Sequence, residues 1–200
     1  LWVGWFGFNG GSALAADLTA SKAILVTHIA ASVGAFSWIL IEWFRFGKPS
    51  LVGIVTGMVA GLATVTPASG FIGVPGGLIL GLSGGIICYY SVDLIRSKLK
   101  IDDSLDVFAV HGVGGILGTL MVSFLALKTF SGAGLAEEMS VNSQFLAQLF
   151  GVVLTVVWTL IFTYIALKIT SLFTSLRVEE QEEIEGLDLR SHGERAYYND

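Results

Sequence analysis

Long apolar stretches dominate the sequence, and each ends at charged residues or at a cluster of proline and glycine. Because a bilayer core of roughly 30 Å needs about 20 mainly apolar residues per helix, windows of that length predict membrane spans. Six windows qualify, at about 1–16, 23–44, 51–67, 71–95, 105–127 and 145–175. The pattern therefore predicts an all-α, polytopic helix bundle within the lipid bilayer, followed by a polar tail over 176–200.

Basic residues lie in two of the short connections between these windows. Arg45 and Lys48 follow the second window, and Arg96, Lys98 and Lys100 follow the fourth. Since short cytoplasmic loops carry an excess of Lys and Arg, both connections should be cytoplasmic, and the C-terminal tail then lies on the same side. We expect a multi-pass protein of the cell membrane, inner or plasma, with a cytoplasmic C-terminus.

Composition narrows the classes of function. Hydrophobic residues make up 54% of the chain and charged residues 14%, with a mean hydropathy of +0.76, which excludes a soluble domain. Acidic side chains crowd into the tail and give no sign of nucleic-acid binding. No spacing typical of a metal site, a catalytic triad or a phosphate-binding loop is found, so we expect no metal, no cofactor and no enzymatic activity. Leu1 begins inside an apolar run without an initiator Met, which we interpret as the edge of a fragment.

His111 lies in the middle of the predicted fifth span, where an ionisable side chain is costly unless it lines a cavity or finds a partner. Histidine is also the side chain that changes charge nearest to neutral pH. Gly114, Gly115 and Gly118 share its helix face, which leaves room for a lumen or for a closely packed helix. The sequence is compatible with a pore histidine and with a core histidine bonded to a backbone carbonyl.

Trp5, Phe8 and Ser12 form one stripe along the predicted first span, close to its outer end. Two aromatic faces and a hydroxyl are what a small cation needs as it sheds water. An interfacial aromatic belt with packing phenylalanines is the alternative. Trp2, Phe6 and Asn9 lie off the stripe, and we expect structural roles for them.

His28 is the second intramembrane histidine, and Thr27 or Ser32 would be its partner. It lies nearer the outer end of its span, so an additional pore residue and a histidine satisfied by water or loops are both compatible with the sequence. Four polar residues lie where the fifth span begins, namely Asp102, Asp103, Ser104 and Asp106, and they predict capping of its first turn, with cation binding by a carboxylate as the alternative.

Five motifs, in order along the chain, resemble those of the ammonium transporter family (Amt/Mep/Rh). They are Trp5-Phe6-Gly7-Phe8-Asn9-Gly10-Gly11-Ser12-Ala13-Leu14, Gly47-Lys48-Pro49-Ser50, Thr66-Pro67-Ala68-Ser69-Gly70 with Phe71, Asp102 through Gly115, and parts of the tail between Leu176 and Tyr197. The resemblance covers essentially all of the chain and corresponds to the family's sixth to eleventh spans and C-terminal tail. It implies that about half of a full-length member is absent from this sequence.

The resemblance implies a homotrimer in which each subunit surrounds its own narrow apolar pore for ammonium or ammonia. By the same resemblance, Trp5 would lie near the pore and Phe8 would be one of two stacked gate rings. Ser12 would hydrogen-bond ammonium at the outer vestibule, and His111 would be one of two pore histidines. His28 departs from the family pattern, which puts the outer part of the pathway in doubt.

The tail resembles the family's cytoplasmic regulatory segment, which contacts neighbouring subunits and, in prokaryotes, PII signal proteins. The residues that would carry this role are Gly186, Asp188, His192, Gly193 and Glu194. A disordered acidic tail is the alternative that spacing alone favours.

The resemblance favours transport in which ammonium loses its proton before ammonia crosses the apolar pore, with the histidines relaying the proton. The first alternative is an ammonium sensor on the same scaffold with little or no transport. A general cation channel would need a ring of carboxylates or carbonyls, and no Asp or Glu lies in the middle of any predicted span.

Overall fold

The computed structural model describes residues 1–195, which are built from helices without a strand, so the all-α prediction is confirmed. The α-helices are α1 Trp2–Gly11, α2 Leu18–Phe46, α3 Leu51–Val65, α4 Val74–Val92, α5 Val113–Leu125, α6 Val141–Thr170 and α7 Glu180–Glu185. Short 3₁₀ or π segments extend or join them at Thr66–Ala68, Asp93–Lys98, Val107–Gly112, Lys128–Phe130 and Asp188–His192.

Five helical stretches within residues 1–195 are long and apolar enough to cross a membrane. They are Leu18–Phe46, Leu51–Ala68, Val74–Lys98, Val107–Leu125 and Val141–Thr170. Helix α1 differs from the window at 1–16, because it ends at Gly11 after 10 residues. Two successive glycines weaken the helix there, and Leu14 then adopts a left-handed φ of 59° that no α-helix continues.

Side chains at the ends of α2 and α3 explain where these helices begin. The Asp17 carboxylate accepts a hydrogen bond from the Ala20 N–H (3.0 Å), and the Ser50 hydroxyl accepts one from the Gly53 N–H (2.9 Å). Helix α2 ends where Gly47 takes a left-handed φ of 75°, a conformation that glycine adopts at low cost.

Helix α2 packs against α3 and α4 through small residues. A Cβ atom on Gly61 would overlap the Ala30 carbonyl oxygen, and one on Gly81 would lie 2.6 Å from the same oxygen. These contacts bring the backbones of the three helices together, as small residues do in membrane bundles. Val26, Val65 and Leu80 fill part of the core beside them and are almost completely buried.

The described chain divides into two units, and the second begins at Val153 within α6. After α6, the second unit contains α7 and the π-helical turn Asp188–His192. Of the tail predicted over 176–200, residues 196–200 lie outside the described residues. The motif positions Ala196 and Tyr197 fall among them.

Candidate functional site

A row of three rings joins α1 to the segment that precedes α5. The ring centroids of Phe8 and Trp5 lie 6.1 Å apart, and those of Trp5 and His111 lie 5.9 Å apart. Trp5 is half-buried, whereas Phe8 and His111 are exposed. The structure therefore brings together three of the residues that the sequence singled out, although α1 and the segment before α5 are far apart in the sequence.

Asp103 positions the backbone that carries His111. Its carboxylate accepts hydrogen bonds from the N–H groups of Val107 (2.8 Å), Phe108 (2.9 Å) and Ala109 (3.1 Å). The predicted capping is confirmed at this residue, which holds three donors that have no partner inside the helix. The first turns form a π-helix over Val107–Gly112, a geometry that often occurs at functional sites. His111 therefore projects from a wide helical turn whose first residues are fixed by a carboxylate.

The three glycines near His111 differ in how closely other helices approach them. A Cβ on Gly118 would overlap the Thr64 carbonyl oxygen, and one on Gly114 would lie 2.8 Å from Thr64 Oγ1. Gly115 has nothing within 4 Å of its Cβ position among the described residues. Close packing with α3 therefore accounts for Gly114 and Gly118, and Gly115 alone has open space beside it.

A hydrogen-bonded network holds Trp5 and Asn9 against α2 and α3. The Trp5 Nε1–H donates to Thr66 Oγ1 over 2.7 Å, so the polar edge of the indole is used inside the bundle. The buried Asn9 amide donates to Thr27 Oγ1 (2.9 Å) and to Thr66 Oγ1 (3.4 Å). The structural role expected for Asn9 is confirmed, and the bond from Trp5 to Thr66 shows that the indole N–H faces the bundle, unlike that of an interfacial aromatic belt.

Thr66 and Thr27 are the members of this network whose contacts with α1 sequence reasoning missed. The sequence contains only weak indications of these contacts: Thr66 opens the motif before Pro67, and Thr27 precedes His28. Hydroxyl residues on helices usually bond their own backbone, and both do so here, Thr66 to Leu62 and Thr27 to Ala23. Nothing in the spacing indicates that their lone pairs also serve α1.

The Ser12 hydroxyl donates to the Phe8 backbone carbonyl over 2.7 Å. Its proton is thus used within the first turn after α1, and its oxygen lone pairs remain as acceptors. Ser12 and Asn9 line a small cavity of about 180 Å³ with Thr66 and Ser69. The remaining lone pairs of the exposed Ser12 oxygen suit a ligand that donates hydrogen bonds.

His28 lies in a separate aromatic cluster. Its ring centroid is 5.2 Å from that of Trp2 and 6.0 Å from that of Phe6. Neither partner expected from the sequence is hydrogen-bonded to the imidazole among the contacts described for residues 1–195: the Ser32 hydroxyl donates to the His28 backbone carbonyl, and the Thr27 hydroxyl donates to Ala23 and accepts from Asn9. Side chains of α1, which the sequence places on the other side of its stripe, contact the imidazole instead.

The tail residues singled out by the sequence lie in and around one turn. Gly186 (φ 95°) follows α7, Asp188 and His192 bound the π-helical turn, and Gly193 (φ 66°) ends it. The Glu194 N–H donates to the Asp188 carbonyl over 3.2 Å. Left-handed φ values at both glycines explain why these positions carry no side chain.

Ion pairs between tail side chains support this segment. Arg177 donates to both carboxylate oxygens of Glu183 (2.6 and 2.9 Å), and Arg190 donates to Glu182 (3.2 Å). The hydrogen bonds from Arg177 lower the pKa of Glu183 below its ordinary value.

Comparisons with known proteins find relatives that are similar over nearly the whole chain. The ammonium transporter Amt1 of Archaeoglobus fulgidus is 48% identical over 199 residues, which make up 98% of this chain and 50% of that protein. Ammonium transporter 1 of Dictyostelium discoideum is 44% identical over 200 residues, or 100% of this chain and 43% of that protein. The chain thus spans half the length, or slightly less, of these two relatives.

Solved structures of similar fold include one described as a sensor Amt protein. It aligns with a TM-score of 0.86 at 33% identity, over 96% of this chain and 47% of that chain. A family model described as the Ammonium Transporter Family matches residues 1–197. Since that model covers nearly the whole sequence, the chain belongs to the Ammonium Transporter Family.

Proposed function

We propose that this chain is the pore-lining half of a membrane transporter for ammonium or ammonia. The observation that carries the proposal is the row of Phe8, Trp5 and His111 rings, in which the Trp5 centroid lies 6.1 Å from that of Phe8 and 5.9 Å from that of His111. Aromatic faces attract a cation that has lost part of its water, and an imidazole accepts and returns protons near neutral pH. The names of the relatives agree with this substrate.

The order of the groups suggests how the site handles its substrate. Ser12 Oγ accepts a hydrogen bond from ammonium at the outer end, and the Phe8 and Trp5 faces replace part of the hydration shell. A bare cation is costly in an apolar passage, so ammonium gives up its proton and ammonia crosses. His111 relays the proton. Potassium has no proton to lose, so the same route excludes it.

The assembly and its partners are part of the proposal. We infer a homotrimer in the cell membrane, with the tail in the cytoplasm, from the positions of Arg45, Arg96 and Lys98 and from the family resemblance. The turn around Asp188 and Gly193 would present a folded surface to neighbouring subunits or to a PII signal protein. The ion pairs of the tail support an ordered segment over a disordered one.

An ammonium sensor with little transport is the second candidate. The structural similarity to a protein described as a sensor Amt protein favours it, and His28 adds a histidine that the usual family pattern lacks. A sensor would bind ammonium at the same row of rings without a continuous flux. The two functions therefore differ in turnover and share the binding site.

Currents from proteoliposomes that contain the complete protein separate the two candidates. An ammonium concentration jump on a transporter should evoke a sustained current, and a potassium jump of the same size should evoke none. A brief capacitive signal together with saturable ammonium binding would instead support the sensor. Equal currents with both ions would contradict both candidates and indicate a general cation channel.

A further inference from the structure

The Thr66 side chain has used all of its hydrogen-bonding capacity. Its hydroxyl donates to the Leu62 carbonyl over 2.7 Å and accepts from Trp5 Nε1–H over 2.7 Å and from the Asn9 amide over 3.4 Å. A hydroxyl offers one donor and two acceptor lone pairs, so each is assigned. Since the proton is committed to Leu62, the oxygen faces α1 as an acceptor. The Trp5 indole N–H, which can only donate a hydrogen bond, therefore faces an acceptor.

The same end of α3 also holds the helix that follows His111. Gly118 packs directly against the Thr64 carbonyl, and Gly114 packs beside the Thr64 hydroxyl. Thr64 is fully buried, so these contacts lie in the interior of the bundle. Thr66, directly after α3, thus holds the ring on α1, and Thr64, near the end of α3, holds the helix next to the imidazole.

Apart from the hydrogen bond to Thr66, the Trp5 side chain is held by contacts with neighbouring rings. Its ring contacts Phe8 and His111 by their faces and edges, and such contacts tolerate sliding and tilting. A hydrogen bond of 2.7 Å to a fixed acceptor does not tolerate such movement of the ring. The bond to Thr66 is therefore the contact that determines the orientation of the indole.

We propose that Thr66 is a positioning residue that orients the Trp5 ring against His111 and thereby determines the rate of ammonium passage. It acts through Trp5, because its hydroxyl has no capacity left for substrate. The effect on flux rests on the proposed function, but the effect on the geometry of the rings does not.

The test compares Thr66→Val with Thr66→Ser in the complete protein. Valine keeps the shape and removes the acceptor, whereas serine keeps the acceptor. Thr56→Val is the matched control, because the Thr56 hydroxyl bonds only the Val52 carbonyl among its described contacts. Ammonium flux should fall about tenfold or more in Thr66→Val, as expected when a buried donor loses its partner, and should stay within about twofold in the other two variants.

A spectroscopic measurement reports on the ring contact itself. With 5-fluorotryptophan incorporated, the ¹⁹F resonance of Trp5 is assigned by its loss in Trp5→Phe. Replacing His111 by Ala should shift this resonance in the parent protein and in Thr66→Ser. In Thr66→Val the shift should fall to less than half, because the ring no longer has a fixed position beside the imidazole.

The outcomes distinguish this inference from the proposed function. An undiminished shift in Thr66→Val, with ammonium flux intact in the parent, would overturn the positioning role and leave transport standing. A diminished shift in Thr66→Val, with no ammonium flux in the parent protein, would support the positioning role and overturn transport. Should Thr66→Val fail to fold, the Trp5→Phe variant keeps a ring without the N–H. Its flux should fall about tenfold, and a normal flux would overturn the inference.

Discussion

Gly118 of α5 packs so closely against Thr64 of α3 that a Cβ atom on the glycine would overlap the threonine carbonyl oxygen. The atom it would meet belongs to the backbone of a helix and cannot rotate away. A wider separation of α3 and α5 would be the only relief. Because the segment before α5 carries His111, the contact links packing inside the bundle to the position of the imidazole.

Replacing Gly118 by alanine should therefore destabilise the protein. Overpacking of a well-filled interior costs about 1–3 kcal/mol, and a backbone obstacle favours the upper end of that range. Gly115→Ala is the matched control, since it adds the same methyl group one turn away where the described residues leave open space. Thermal unfolding in detergent measures the difference. Equal midpoints for the two variants would mean that the close approach does not matter.

The Asp103 carboxylate should be required for a stable start of the fifth span. Asp103→Ala removes the acceptor for three backbone N–H groups and should lower the free energy of unfolding by about 1–2 kcal/mol. Asp102→Ala is the control, because Asp102 takes part in none of the hydrogen bonds described for residues 1–195. Hydrogen exchange at Val107 and Phe108 locates the effect, and unchanged exchange there would contradict the capping role.

The ion pair between Arg177 and Glu183 should weaken in acid. Hydrogen bonds from Arg177 lower the pKa of Glu183, so the bonded, ionised form is present above the ordinary glutamate pKa. Its contribution is lost as the pH falls through the lowered value. A ¹³C NMR titration of the Glu183 carboxyl follows this, and Arg177→Gln should return its pKa to the ordinary range.

Two controls accompany that titration. Arg190 bonds Glu182, so Arg190→Gln should leave the pKa of Glu183 unchanged. Added salt should raise the pKa toward its ordinary value, because both side chains are solvent-accessible and the pair is screened. Insensitivity to both salt and the Arg177 substitution would contradict the pairing.

Helical periodicity was sufficient to predict the stripe of Trp5 and Phe8 and the cap at Asp103, because both depend on residues a few positions apart. It did not predict the contact between Trp5 and Thr66, which joins residues that are far apart in the sequence. The contacts of His28 escaped prediction for the same reason, because the rings that contact the imidazole, Trp2 and Phe6, belong to another helix and are far from it in the sequence.

The end of α1 shows a different limit. Hydropathy extends the apolar window to residue 16, but Gly10 and Gly11 end the helix earlier. Hydropathy measures where a chain prefers lipid, and glycine affects helix stability with little effect on hydropathy. The pattern of apolar residues also did not predict the π-helical turn that carries His111, because it does not distinguish a π-helical from an α-helical backbone.

The most direct test of transport through this site is the current evoked by ammonium and by potassium jumps in His111→Ala and His111→Asp. Thr119→Val, on the same helical stretch, is the control, since that hydroxyl bonds only the Gly115 carbonyl among its described contacts. We predict that, in each His111 variant, the ammonium current falls about tenfold or more or a potassium jump evokes a current. Unchanged ammonium current with potassium still excluded would contradict a proton relay at His111.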